Sequence, residues 1–130
     1  MAERKARPHE SLDAWREAIN LVVDVYQASD SFPDRERFGL TSQVRSAAVS
    51  VPANLAEGAG RGAPAEYGHF LRISRGSLSE LETHLQIALR LGYMTQRHLD
   101  ALFEKCCHVD RLIEGLMRYQ KRRIPQKAAK

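Results

Sequence analysis

Apolar residues recur every three or four positions along most of this chain, the spacing of helices that each bury one stripe. Four such segments separate cleanly. Leu12, Trp15, Ile19, Val22 and Tyr26 define the first, with Ser11 placed to cap it and Asp13 favourable in its opening turn. Leu40, Val44, Ala48, Val51 and Leu55 define the second, with Thr41 or Ser42 as its cap. The third is long: Leu71, Ser74, Leu78, Leu81, Leu85 and Ala88. Pro64 suits its first turn, where an N–H has no helical acceptor, and Gly92 is placed to end it in a left-handed conformation. Leu99, Leu102, Cys106, Val109, Ile113 and Leu116 make the fourth, capped by Thr95. The intervening DSFPDRERFG, GRGAP and GYM read as loops. Connections this short favour antiparallel neighbours, so the pattern predicts an all-α fold, an antiparallel up-down four-helix bundle. The expected organisation is a flexible N-terminus over residues 1–10, the bundle over 11–120 and a basic C-terminal tail over 121–130.

The third segment carries a second apolar row, Phe70, Ile73, Ile87 and Leu91, interrupted by Ser77 and His84. Two readings stand. The row widens the core-facing surface, or it meets another subunit, because a small bundle needs only one buried face per helix.

Length and composition narrow the class. A chain of 130 residues with an ordinary apolar fraction is one domain able to bury its own core. MAERKARPHE has charge but no apolar stretch behind it, and no run approaches a membrane span, so the expectation is a cytoplasmic protein with no membrane contact. Cys106 and Cys107 are adjacent, which implies no disulfide framework and no zinc motif. The net charge of +4 is unevenly placed. From Arg118 onward stand Arg118, Lys121, Arg122, Arg123, Lys127 and Lys130 with no acidic residue, leaving 14 basic against 16 acidic residues elsewhere. A basic tail contacts phosphates or anionic surfaces, or simply keeps a chain end solvated.

The stretch SVPANLAEGAGRGA, Ser50 to Ala63, poses the sharpest chemical question. Gly58-Ala59-Gly60-Arg61-Gly62-Ala63 formally fits a dinucleotide fingerprint in its final-Ala variant. That fingerprint works only between a strand and a helix, and here a helix precedes it; no Gly-Lys-Ser/Thr follows to make a P-loop. The structural reading is a corner. Pro52 removes one N–H, leaves the Ala48 carbonyl without its donor and kinks the helix. Asn54 and Glu57 share a face and brace the bend, Glu57 reaches Arg61 if the helix continues, and Gly58, Gly60 and Gly62 turn the chain out of it.

Other constellations are thin. Glu80 and Glu82 are two apart and point in different directions, with Glu80 placed to face Arg45. His9, His69, His84, His98 and His108 show no ligand spacing, and Cys106 falls on a core stripe as a small hydrophobe. The residues therefore indicate no catalytic set, no metal and no cofactor. Arg61, Arg72 and Arg75 form a positive patch near the second corner, extended by Lys121, Arg122 and Arg123, and such contacts to phosphate accumulate when repeated.

SVPANLAEGAGRG, followed by EYGHFLRISRGSLSELETHLQIALRLGYM, resembles the four-helix-bundle family named after large-subunit (23S) rRNA intervening sequences. The likeness extends from LDAWREAINLVVDVY through FGLTSQVRSAAVSVPANLAEG to the LGY before the last helix. It implies an antiparallel four-helix bundle and a homopentameric ring, as in the related accessory factor of diversity-generating retroelements. That factor is a basic ring that binds nucleic acid and a reverse transcriptase. Members are not known as enzymes. The combined expectation is a non-catalytic homo-oligomeric accessory protein that binds RNA or DNA through its basic residues, with a reverse transcriptase or another protein encoded nearby as a further partner. The alternative is a protein-interaction scaffold without nucleic acid.

Overall fold

Short connections between four amphipathic segments leave each helix beside the next, and the computed structural model, which describes residues 4–125, has that arrangement. Helices α1 (Asp13–Ser29), α2 (Leu40–Arg61), α3 (Pro64–Arg90) and α4 (Gln96–Arg123) follow in order, with 3-10 turns at Pro8–Ser11 and Asp34–Glu36. Among the described residues there is no strand. Each helix packs on its neighbours in chain order, and α1 closes the bundle against α4. The α2–α3 register is antiparallel: Gly58 meets Tyr67 and Phe70, Val51 meets Ser74, and Ser50 meets Ser77. No helix among the described residues is long and apolar enough to cross a membrane.

The predicted stripes of α2, α3 and α4 form the core. Val44, Ala48, Val51 and Leu55, the whole run from Leu71 to Ala88, and Leu99 through Ile113 are buried. Leu40 and Leu116, at the stripe ends, are partly buried. Helix α1 is rotated from expectation. Its buried apolar residues are Ala14, Ala18, Leu21 and Val25, whereas Ile19 and Tyr26 are exposed. Small alanines let α1 approach its neighbours closely, and its large amphipathic side chains sit at the margins. Trp15 lies 4.9 Å from the His9 ring, and the Arg45 guanidinium stands 4.6 Å from the Tyr26 ring.

Helix ends depart from the sequence expectation where a loop supplies a better partner. Ser11 does not cap α1; its hydroxyl donates to the Pro8 carbonyl, and Leu12 holds the N-cap position. Neither Thr41 nor Ser42 caps α2, which starts earlier, after Gly39. The Glu36 carboxylate accepts the Leu40 N–H at 3.2 Å and the Tyr93 hydroxyl at 2.8 Å. These two bonds hold its pKa below the usual carboxylate range. Thr95 does cap α4, accepting the His98 N–H at 3.2 Å. Pro64 opens α3, and Gly92 follows it at φ 80°.

The Ser50–Ala63 corner is only partly as expected. Helix α2 runs through the buried Pro52 to Arg61, so Gly58 and Gly60 are helical and only Gly62, at φ 78°, turns the chain out. Asn54 braces the helix near the proline, donating to the Ser50 carbonyl at 2.8 Å and to the Ser50 hydroxyl at 3.0 Å. Ser74 adds a buried bond from α3 to the Val51 carbonyl at 2.8 Å. Glu57 does not brace anything; it is exposed and pairs with Arg61 at 2.9 Å. Gly58 serves the crossing instead, because a Cβ there would stand 3.0 Å from Phe70 Cβ and 3.2 Å from the Tyr67 carbonyl oxygen. At the other end, α4 continues to Arg123, so Lys121, Arg122 and Arg123 are helical instead of opening a tail at residue 121. Lys127 and Lys130 lie outside the described residues.

Candidate nucleic-acid interface

An antiparallel bundle places the end of α2, the start of α3 and the end of α4 together, so basic residues far apart in sequence share one end of the molecule. Between α3 and α4 this end opens into a groove of about 630 Å³. Arg72 and Arg75 line it from α3; Arg118 and Lys121 line it from α4. Among the described residues no carboxylate lies within ion-pair distance of Arg72, Arg118 or Lys121. The groove also has apolar walls from Pro64, Ala65, Gly68, Met117 and Ile124. A second, smaller concavity carries the basic surface onward from Arg118 and Lys121 to Arg122 and Pro125.

The predicted basic residues thus divide. Arg75 is committed within the chain, with Nε 2.9 Å from Asp110 and Nη2 2.5 Å from Glu114. It pins α3 to α4 and sets the positions of its neighbours. Arg61 lies away from the groove, paired with Glu57, 3.9 Å from Glu66 and 5.3 Å from the Phe70 ring centroid. Arg123 turns back, donating to Gln120 Oε1 at 2.9 Å beside the Tyr119 ring. Arg72, Lys121 and Arg122 remain on the basic surface, and Arg118 joins them. Sequence reading placed Arg118 only in the tail charge, and missed Gly68, Met117 and Gln120 altogether. Their signal is a shared helical face: 68, 72 and 75 on α3 against 114, 117 or 118, 121 and 124 on α4.

The second apolar row of α3 does not join the core. Ile73, Ile87 and Leu91 are 39%, 43% and 53% exposed, and Phe70 is half-buried. Ser77, in the same row, is buried because its hydroxyl bonds the Ile73 carbonyl and the Ser50 hydroxyl. The reading of the row as extra core therefore fails for its three exposed members.

The remaining titratable groups do not converge. Arg45 pairs with Asp30 and bonds Ser29, so it does not face Glu80. Cys106 is fully buried, and loss of hydration pushes its thiol up to about 12, in keeping with a small hydrophobe. Among the described residues no three histidine, cysteine or carboxylate side chains gather as metal ligands. Glu82 is half-buried, and burial first, then the nearby Asp110 charge, raises its pKa above the ordinary carboxylate value. The raised folded pKa means that ionisation at neutral pH opposes folding, while below the unfolded pKa both states are protonated and the cost is gone. Glu82→Gln is therefore expected to raise the urea midpoint at neutral pH. The gain should shrink on acidification and vanish below about pH 4; a gap constant with pH would contradict this.

Fold and groove together define a small helical-bundle protein with a basic groove at one end. The family model described as 23S rRNA-intervening sequence protein matches residues 10–115. The chain belongs to that family. It is similar in fold to a crystal structure from Bacteroides thetaiotaomicron, of a protein with unknown function from the S23 ribosomal protein family. That similarity has a TM-score of 0.74 at 16% identity, over 81% of this chain and 95% of the other. Among curated proteins, none matches this sequence.

Proposed function

We propose that this protein is a non-catalytic, homo-oligomeric accessory protein that binds RNA through the basic groove between α3 and α4. The observation that carries this reading is the convergence of Arg72, Arg118 and Lys121 on one concave surface, where the one lining carboxylate, Glu114, is already paired with Arg75. Cations held together without counterions attract a polyanion, and repetition around an oligomer multiplies the effect. The test is fluorescence anisotropy of a labelled RNA at increasing salt. Binding should weaken linearly in log–log form, and absence of binding at low salt would remove this reading.

Self-association rests on a separate surface. Ile73, Ile87 and Leu91 expose an apolar row that a second copy would cover, in keeping with the pentameric ring that the family resemblance implies. Light scattering at two concentrations should give a mass well above the 14.7 kDa of one chain, and Ile73→Glu with Ile87→Glu should lower it. A wild-type mass of one chain at both concentrations would refute the interface. One observation favours the scaffold alternative: Phe38 is 89% exposed beside the Arg37 guanidinium, an anchor suited to another protein.

A further inference from the structure

The groove holds more than charge. Its volume of 630 Å³ falls within the range of about 300–1,000 Å³ typical of small-ligand sites, and its floor is apolar. Gly68 leaves that floor open: a Cβ there would meet nothing nearer than Arg72 Nη1 at 3.6 Å. Glycine inside a helix costs about 1 kcal/mol relative to alanine, and at this position no close helix crossing requires it. Gln120 is the one uncharged polar side chain lining the groove, and it is only 3% exposed. Its Oε1 is taken by Arg123, which orients the amide. Its Nε2 then has no acceptor among the described residues. Among the described residues no buried side-chain nitrogen or oxygen lacks a partner, so this nitrogen is open to solvent at the groove and free to donate to a ligand there.

From this we infer that the groove seats one unpaired nucleotide of a single-stranded RNA. The inference rests on the RNA reading above and makes it specific. Phosphate oxygens lie on Arg72, Arg118 and Lys121, the base enters over Gly68 and Met117, and Gln120 Nε2 donates to a base or phosphate acceptor. A duplex presents its phosphates on a convex surface and keeps its bases stacked, so it reaches the rim and leaves the floor and the amide unmet. An unstacked base fills both, and guanidinium planes are suitable stacking partners for it.

The probe is a fluorescein-labelled RNA oligonucleotide of mixed sequence, used single-stranded and annealed to its complement, with a free nucleoside monophosphate as competitor. The single strand is expected to bind about tenfold more tightly than the duplex. Gly68→Leu fills the floor while favouring the helix, and is expected to weaken single-strand binding about tenfold with a melting temperature no lower than wild type. Gln120→Glu, which replaces the donor with a carboxylate, should weaken it comparably, and Arg97→Ala at the opposite end serves as control. Equal affinity for both forms together with no effect of Gly68→Leu would overturn the nucleotide site and leave the basic surface standing. A mononucleotide competing as well as the oligonucleotide would overturn the strand. No RNA binding of any kind would overturn both this inference and the reading beneath it.

Discussion

Replacing Arg72, Arg118 and Lys121 together with alanine is expected to abolish most RNA affinity. Each phosphate contact to a single strand releases about 0.7 counterion, so three contacts contribute about 2 to the slope of log affinity against log salt. Extrapolated from about 1 M, where the electrostatic part fades, that slope corresponds to about 100-fold at 0.1 M salt. The variant should therefore lose about 100-fold at low salt and converge with wild type at high salt. All three residues line the groove from solvent and pair with no described carboxylate, so their removal leaves the fold intact. Arg75 is kept, because it holds Asp110 and Glu114 and its loss would strand two carboxylates against the basic rim. Arg90 and Arg97, at the opposite end of α3 and α4, give a control pair of like charge. Equal losses from the two sets would show diffuse attraction in place of a site.

The second large effect concerns the α2–α3 crossing. Gly58→Leu is expected to destabilise the protein by about 2–3 kcal/mol, the cost of overpacking less a small gain in helix propensity. Its first added carbon already falls 3.0–3.2 Å from Phe70 Cβ, the Tyr67 ring and the Tyr67 carbonyl oxygen, and the last of these belongs to backbone that cannot swing away. Gly60, two residues on in the same helix, faces open space: a Cβ there would have no neighbour within 4 Å. Gly60→Ala should accordingly stabilise by up to about 1 kcal/mol. Urea denaturation of both variants checks the contrast. Effects of the same sign would mean that helix propensity, and not the crossing, governs this stretch.

These two glycines are indistinguishable in the string EGAGRG, and the corner around them shows where sequence reading stops. Pro52 and three closely spaced glycines suggested that the helix ends early, yet α2 continues to Arg61. Glycine permits an exit from a helix without requiring one, and the packing of α3 across Gly58 holds the helical path. Helix α1 misled in the other direction. Trp15, Ile19 and Tyr26 carry the hydrophobic weight in the predicted stripe, but the face that is buried runs through Ala14, Ala18, Leu21 and Val25.

Periodicity, caps and loop lengths determined by themselves that this chain makes four helices in an antiparallel bundle, with Pro64, Gly92 and Thr95 in their working places. They could do so because helix formation and the burial of one stripe are local in sequence, legible within a few turns. The motifs also sufficed to mark the family. The candidate site was different in kind. Arg72 and Arg75 look alike on a helix face, and only the register of α3 against α4 gives Arg75 its two carboxylates and leaves Arg72 free of them. Arg118, Gln120 and Lys121 meet Gly68 and Arg72 from nearly fifty residues away. Which charges are neutralised, and which remain to attract a ligand, depends on distances of a few ångströms between helices, and only tertiary packing sets those.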